Sequence, residues 1–172
     1  MTPNPQLLAE LKEHEQWLTS LGREGRQLAE QGRNLEGIDL SGQNLAEAYL
    51  PESNLAGADL HGADLFGADL AGASLESANL DGANLAKSNL DYASLVKARL
   101  QGVKATRATF NHADLSGADL SGADLRFSFI GSANLEGASL RGARLDGVSL
   151  KDARLDGADL SGATGLEALS PE

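Results

Sequence analysis

Leucine recurs at every fifth position from Leu35 to Leu160, and this period constrains the fold more than any other feature of the chain. Three positions in the series hold another residue, namely Ala105, Phe110 and Ile130. The 26 five-residue units follow one another without an insertion or a deletion. A period of five matches neither the 3.6 residues of a helical turn nor the two-residue alternation of a continuous strand. The chain must therefore change direction within every unit.

The unit ADLHG, residues 58–62, illustrates how one repeat folds. Ala58 and Leu60 are two positions apart, so both side chains point to one side of an extended segment, and Asp59 points to the other. Gly62 supplies the positive φ that a turn requires, and glycine stands at this position in 15 of the 26 units. We therefore expect short extended segments that enclose leucine and alanine and are joined by glycine corners.

Four such units form a square coil of 20 residues, and successive coils stack at about 4.8 Å through backbone hydrogen bonds. Residues 34–164 then make about 6.5 coils, in which positions 20 apart lie directly above one another. The prediction is an all-β solenoid with leucine ladders in its core. One of these ladders consists of Leu40, Leu60, Leu80, Leu100, Leu120 and Leu140.

Residues 1–33 follow a helical pattern instead. Asn4 is suited to cap a helix and Pro5 to its first turn. Four leucines at helical spacings form one apolar face, namely Leu7, Leu11, Leu18 and Leu21. Leu8 and Trp17 widen this face. Because the end of a solenoid exposes core and unpaired backbone, we expect this amphipathic helix to cap the first coil.

Residues 165–172 form a short C-terminal segment. It either caps the last coil weakly or leaves that coil open for end-to-end pairing with a second chain. The sequence is therefore compatible with a monomer or an end-to-end homodimer.

The repeat A-(D/N)-L-x-G, as in ADLHG, ADLFG and ANLDG, resembles the pentapeptide-repeat proteins. The resemblance covers residues 34 to about 164 and implies a right-handed quadrilateral β-helix. The segment LKEHEQWLTSLGREG also resembles the leader that precedes bacterial pentapeptide arrays. The resemblance implies the fold but not the function, because the same coil carries several unrelated roles in this family.

Composition excludes several classes of function. The chain has no cysteine, which rules out disulfides and thiolate metal sites and suits a cytoplasmic protein. Its net charge of −11 argues against direct binding of nucleic acid, and no apolar run is long enough to span a bilayer. His14, His61 and His112 are too dispersed for a metal site, and the convex outside of a coil offers no cleft for catalysis. We expect neither an enzyme nor a bound cofactor or metal.

Charge is unevenly distributed along the predicted rod. Residues 34–86 contain nine acidic side chains and no lysine or arginine, whereas residues 87–107 carry a net charge of +4. The acidic section is either a solvated surface or an imitation of the phosphate backbone. The second interpretation has a family precedent, because some pentapeptide-repeat proteins protect DNA gyrase and are thought to resemble duplex DNA. The candidate DNA-mimicking residues are Asp39, Asp59, Asp64 and Asp69.

The repeat is least regular in RFSFIGS, residues 126–132. Alternation places Ser128 and Ile130 inside and leaves Phe127 and Phe129 outside, where exposed aromatic pairs often mark contacts. The competing interpretation is that both rings fold over the corner as structural plugs. Arg107 lies 20 residues before Phe127, one coil away, and is placed for a cation–π pair with that ring. The candidate protein-binding residues are Lys87, Arg107, Arg126, Phe127 and Phe129, whereas Tyr49 and Tyr92 are interpreted as isolated structural corner residues.

Taken together, these patterns favour a non-catalytic rigid scaffold that presents side chains to a protein partner. The alternative is a DNA mimic that binds and protects DNA gyrase or another topoisomerase. A third possibility is a consensus-like coil without a partner, because the array contains no insertion or deletion.

Overall fold

The outward residue of each five-residue unit pairs in parallel with its counterpart 20 positions away along the chain. The computed structural model of the chain describes residues 1–166. Within them a ladder of 24 single-residue bridges runs from the Ala29–Tyr49 pair to the Arg144–Thr164 pair. The constant offset of 20 confirms four units per coil. The bridging positions from Ala29 to Thr164 make seven coils, so the ladder extends one unit beyond each end of the leucine pattern.

The corners of the coil are tight turns that require a left-handed residue. In one of them the Leu55 carbonyl accepts a hydrogen bond from the Ala58 N–H at 3.0 Å, and Gly57 between them has a φ of 63°. A positive φ at the third residue is typical of a type II β-turn and favours glycine. Eleven corners nevertheless place another residue at a similar φ: Glu47, Glu52, Ser77, Lys87, Tyr92, Lys97, Arg107, His112, Phe127, Ser132 and Asp152.

The aspartate or asparagine before each core leucine stabilises the corner that follows it. Asp59 Oδ1 accepts a hydrogen bond from the His61 backbone N–H at 3.0 Å, which closes an Asx turn. Asn79 in the next coil donates its side-chain amide to the same oxygen at 3.0 Å. The two residue types are interchangeable here, because each provides an oxygen that accepts the backbone hydrogen bond.

Leucine and alanine fill the inside of the coil as expected. The ladder of Leu40, Leu60, Leu80, Leu100, Leu120 and Leu140 is at most 1% exposed throughout. Phe110 is the largest of the fully buried side chains, and the buried Ala105 lies on the neighbouring face of the same coil. The larger residue Phe110 and the smaller residue Ala105 therefore replace leucine at consecutive core positions of one coil.

The helix α1 comprises Pro5–Thr19, and the Asn4 side chain caps it by accepting a hydrogen bond from the Leu7 N–H at 2.9 Å. Leu7 and Leu11 are buried in the core cluster. The expected apolar face is partly wrong, because Leu8 and Leu21 are 51% and 85% exposed. Leu21 lies beyond the last residue of the helix, so the helical spacing does not apply to it.

A buried histidine completes the contact between α1 and the coil. His14 is fully buried, and its Nδ1 accepts a hydrogen bond from the Leu28 backbone N–H at 3.0 Å. An ion pair of 2.5 Å joins Glu10 on α1 to Arg33. The helix is thereby fixed to the start of the coil by apolar, hydrogen-bonding and ionic contacts. Residues 167–172, which include most of the expected C-terminal segment, lie outside the described part of the chain.

Candidate functional site: an aromatic face of the coil

The coil has four faces, which are numbered in chain order by their core residues. The fourth face has as its core Leu50, Leu70, Leu90, Phe110, Ile130 and Leu150. The corner that leads into it, here called the third corner, consists of Glu47, Gly67, Lys87, Arg107, Phe127 and Gly147. The corner that leaves it, the fourth corner, consists of Glu52, Gly72, Tyr92, His112, Ser132 and Asp152. We call the fourth face with these two corners the aromatic face.

The exposed phenylalanine and tyrosine side chains of the described coil all belong to the aromatic face. Phe127 and Phe129 are 54% and 53% exposed, and Tyr49 and Tyr92 are 43% and 68% exposed. The interpretation of Tyr49 as a corner residue is wrong, whereas Tyr92 does lie at a corner but is not isolated, because it stacks on His112. Tyr49 lies in the same outward column as Phe129, four coils away, and is not at a corner. The 20-residue register applied to every aromatic residue would have revealed this grouping.

Two aromatic contacts join neighbouring coils at the corners of this face. Lys87 Nζ lies 5.1 Å from the centre of the Phe66 ring. Tyr92 and His112 stack with ring centres 4.9 Å apart and planes inclined by 12°. The expected cation–π pair between Arg107 and Phe127 is not formed. Phe127 extends instead towards the following coil.

The Phe127 ring lies over Gly147, where a Cβ atom would be 2.6 Å from Cδ1 of the ring. One side of the ring is therefore packed and the other faces solvent. Phe129 has no such position over a corner, because it bridges Thr109 and Ser149 in the middle of the face. The two phenylalanines thus combine a packed ring with an exposed apolar surface.

Arg126, the third candidate cation of this region, is already paired. Its Nε and one terminal nitrogen donate to the two carboxylate oxygens of Asp124 at 2.8 and 2.7 Å. This bidentate bond lowers the pKa of Asp124. Arg126 is therefore placed to hold the corner together, and its charge is balanced within the coil.

Backbone conformation separates the aromatic face from the rest of the coil. Nine of the eleven left-handed residues other than glycine lie on its third and fourth corners. The second corner contains only glycine, at Gly42, Gly62, Gly82, Gly102, Gly122, Gly142 and Gly162. A left-handed residue with a side chain is less stable than glycine by about 1 kcal/mol or more.

The acidic candidates do not converge on one side of the coil. Asp39 and Asp59 project from the second face, Asp64 from the third and Asp69 from the fourth. The side-chain hydroxyl and the backbone N–H of Ser41 lower the pKa of Asp39. The other three carboxylates also accept backbone hydrogen bonds at 3.0 to 3.1 Å, as Asx turns do.

No group of three or more histidine, aspartate or glutamate side chains within residues 1–166 is placed to hold a metal ion. In the same residues no helix has the length and apolar composition needed to cross a membrane.

Comparison with known proteins identifies relatives of the coil. The family model for pentapeptide repeats matches residues 34–72, 68–104, 93–126 and 131–164. A pentapeptide repeat protein from the thylakoid lumen of Arabidopsis thaliana is 34% identical, and the match covers 58% of this chain and 68% of that one with a TM-score of 0.55. These matches confirm the right-handed quadrilateral β-helix expected from the resemblance.

Two further structures show lower superposition scores. The pentapeptide repeat protein Rfr23 from the cyanobacterium Cyanothece 51142 is 32% identical, with 75% of this chain and 84% of that one covered and a TM-score of 0.34. QnrB1, a plasmid-mediated fluoroquinolone resistance protein, is 23% identical, with 77% and 72% covered and a TM-score of 0.48. No curated protein matches the chain by sequence.

The ranges matched by the family model leave out residues 127–130 within the array. These four residues contain Phe127 and Phe129, so the departure from the family pattern coincides with the exposed aromatic pair.

Proposed function

Because this chain belongs to the pentapeptide-repeat family, we propose that it is a non-catalytic rigid rod that binds a protein partner through the aromatic face. One observation carries the proposal. The four exposed phenylalanine and tyrosine side chains of the described coil lie on one of its four faces and the adjoining corners. Aromatic residues are enriched in protein interfaces and supply much of their binding energy.

The strained corners support this assignment. Glycine makes the same turn without strain, as it does along the second corner. The side chains of Lys87, Arg107 and Phe127 therefore lower the stability of the turn that holds them. Backbone strain of this kind is concentrated at functional sites, where the side chain contributes to a contact.

The rigidity of the coil also favours binding. Backbone hydrogen bonds link every coil to the next, as between Phe129 N–H and the Ala108 carbonyl at 3.0 Å. The outward side chains are thus held at fixed spacing before a partner arrives. Preorganisation of this kind reduces the entropy lost on association.

The double variant Phe127→Gly with Phe129→Thr tests the proposal. Glycine fits the φ of 59° at position 127, and Thr109 already occupies the place equivalent to 129 in the preceding coil. The coil should remain folded, and the partner retained by the unmodified rod from extract of its source cells should be lost. A variant that keeps the same partner at the same affinity would contradict the proposal.

A matched control changes the two equivalent positions of another unit, outside the aromatic face. Ser77→Gly with Asn79→Ser has the same spacing, and Gly57 and Ser139 hold the equivalent places in other coils. This control should retain the partner. Thermal unfolding of both variants establishes that any loss of binding is not a loss of the coil.

A DNA mimic that protects a topoisomerase is the second candidate, and charge density favours it. Nine acidic residues within 34–86, at about 4.8 Å per coil, place one negative charge about every 1.4 Å along the axis. Duplex DNA has one per about 1.7 Å. The acidic section is short, however, because the following coil carries a net charge of +4.

The four candidate aspartates can be neutralised without loss of their turns. Asparagine at 39, 59, 64 and 69 keeps the oxygen that accepts the backbone N–H, and Asn34 and Asn54 already accept the Glu36 and Ala56 N–H in this way at 3.2 and 3.1 Å. If the rod mimics DNA, it should protect gyrase from a fluoroquinolone in a supercoiling assay, and the fourfold Asp→Asn variant should not. Absence of protection by the unmodified rod, or full protection by the variant, excludes mimicry directed at gyrase.

A further inference from the structure

We propose that the third corner binds an acidic segment of the protein partner through Lys87, Lys104 and Arg107, an inference that rests on the proposed function. The net charge of −11 makes this unexpected for the chain as a whole. Around the third corner, however, the local charge is positive.

The three cations lie close together and face solvent. Lys87 and Arg107 occupy the third corner in successive coils, 20 residues and therefore about 4.8 Å apart along the axis. Lys104 projects from the third face three residues before Arg107, in the bridge series with Asn84 and Asp124. All three side chains are exposed.

None of these charges is neutralised within residues 1–166. The ion pairs found there involve Arg33, Arg99, Arg126, Arg141, Arg144 and Arg154. Asp124, the bridge neighbour of Lys104, is held bidentately by Arg126 and lies 3.6 Å from Arg144. Lys87 contacts the face of Phe66, which attracts a cation without cancelling its charge.

Apolar surface adjoins the cations directly. Phe127 follows Arg107 on the same corner, and Phe129 begins the middle of the fourth face two residues later. Opposite charges that meet across an interface steer association and fix its register. The chemistry that fits this surface is a protein segment in which glutamate or aspartate flanks an apolar side chain.

A pair of short synthetic peptides tests this directly on the full chain. In one, glutamates flank a phenylalanine, and in the other lysine replaces each glutamate. Titration followed by amide NMR shifts should show binding of the acidic peptide, with changes centred on Lys87, Arg107 and Phe127. Its affinity should fall as salt rises, because exposed charges are screened. Equal binding of the lysine peptide, or shifts spread over all four faces, would overturn the inference.

Charge reversal supplies the matched comparison. Lys87→Glu with Arg107→Glu should weaken binding of the acidic peptide by about tenfold. Glutamate fits these corners, since Glu47 and Glu52 have φ values of 57° and 56°. Lys12→Glu with Lys97→Glu makes the same change in net charge, and Lys97 also lies at a positive φ. An equal loss in this control would mean that only net charge matters.

Partner binding by the aromatic face and recognition of an acidic segment can be contradicted independently. If Phe127→Gly with Phe129→Thr abolishes partner binding while Lys87→Glu with Arg107→Glu does not, the aromatic face binds the partner. The proposal that it binds an acidic segment is then wrong. If neither double variant affects the partner, the aromatic face itself is not the binding surface. Tight competition by duplex DNA for the same corner would also overturn the choice of an acidic protein segment.

Discussion

The ring of Phe127 occupies space that Gly147 leaves open in the next coil. A Cβ atom on Gly147 would lie 2.6 Å from Cδ1 and 2.8 Å from Cε1 of that ring. Other corner glycines, such as Gly137, have no neighbouring atom within 4 Å of the same position. The absence of a side chain at 147 is thus what lets an exposed aromatic ring pack along the third corner.

Gly147→Ala should destabilise the coil by about 1 kcal/mol more than Gly137→Ala. The two glycines have similar φ values of 71° and 67°, so the left-handed strain is matched and only the contact with Phe127 differs. Denaturant unfolding measures both free energies. The difference should vanish when Phe127 is also replaced by glycine, and a difference that persists would show that the ring does not rest on Gly147.

Ser77→Gly should stabilise the coil by about 0.5 to 1 kcal/mol, because relief of left-handed strain exceeds the added freedom of the unfolded chain. Ser77 has a φ of 56° and stands on a corner outside the aromatic face. The midpoint of urea unfolding should rise without a change of slope. A lower midpoint would show that the Ser77 side chain makes a compensating contact.

The buried pair Ala105 and Phe110 should behave non-additively. Phe110→Leu removes volume beside a small residue and should destabilise by about 1 kcal/mol or more, and Ala105→Leu alone adds volume beside a large one. The double change restores leucine at both positions of the coil and should cost less than the two single changes together. Additive free energies of unfolding would mean that the two side chains do not share space.

Docking of α1 should weaken in acid because of His14. Burial lowers the pKa of His14, against the opposing influence of the Ala46 carbonyl and the Glu47 carboxylate. Nδ1 accepts the Leu28 N–H, so a proton there breaks that bond. The contribution is complete above about pH 6.5, where the unfolded histidine is neutral, and declines as pH falls towards the lower pKa of the folded state.

Trp17 reports this change, since it is the single tryptophan and its ring centre lies 5.9 Å from that of His14. Its fluorescence should shift on acidification below about pH 6.5. Replacement of His61 and His112, which lie on the coil, should leave that transition unchanged. A transition that survives His14→Leu would assign it to another group.

Asp59→Asn should be nearly neutral for stability, and Asp59→Ala should destabilise by about 1 kcal/mol. Asparagine keeps the acceptor for the His61 N–H and for the Asn79 amide, and alanine removes it. Thermal or denaturant unfolding of the two variants separates the structural role of this position from its charge. Equal destabilisation by both would mean that the negative charge itself supports the fold.

The members of the candidate site could be predicted from the sequence, but the packing of their side chains could not. Alternation within one unit is local, so the outward position of Phe127 and Phe129 could be predicted. The inclusion of Tyr49 and Tyr92 follows from the 20-residue register, once it is applied to every outward column of the coil. The direction of the Phe127 ring depends on the empty space at Gly147 in another coil.

The sequence by itself determined the coil, because the features that produce it lie within each five-residue unit. These are leucine and alanine two positions apart, an oxygen acceptor between them, and a residue that permits a turn. The tertiary structure decided which charges remain available. Arg126 finds Asp124 across a corner, whereas Lys87, Lys104 and Arg107 find no carboxylate within residues 1–166. Such pairing depends on how far each side chain reaches, within a coil or between coils, and a five-residue pattern does not encode it. The same reason applies to His14, whose burial depends on how α1 sits against the first coil.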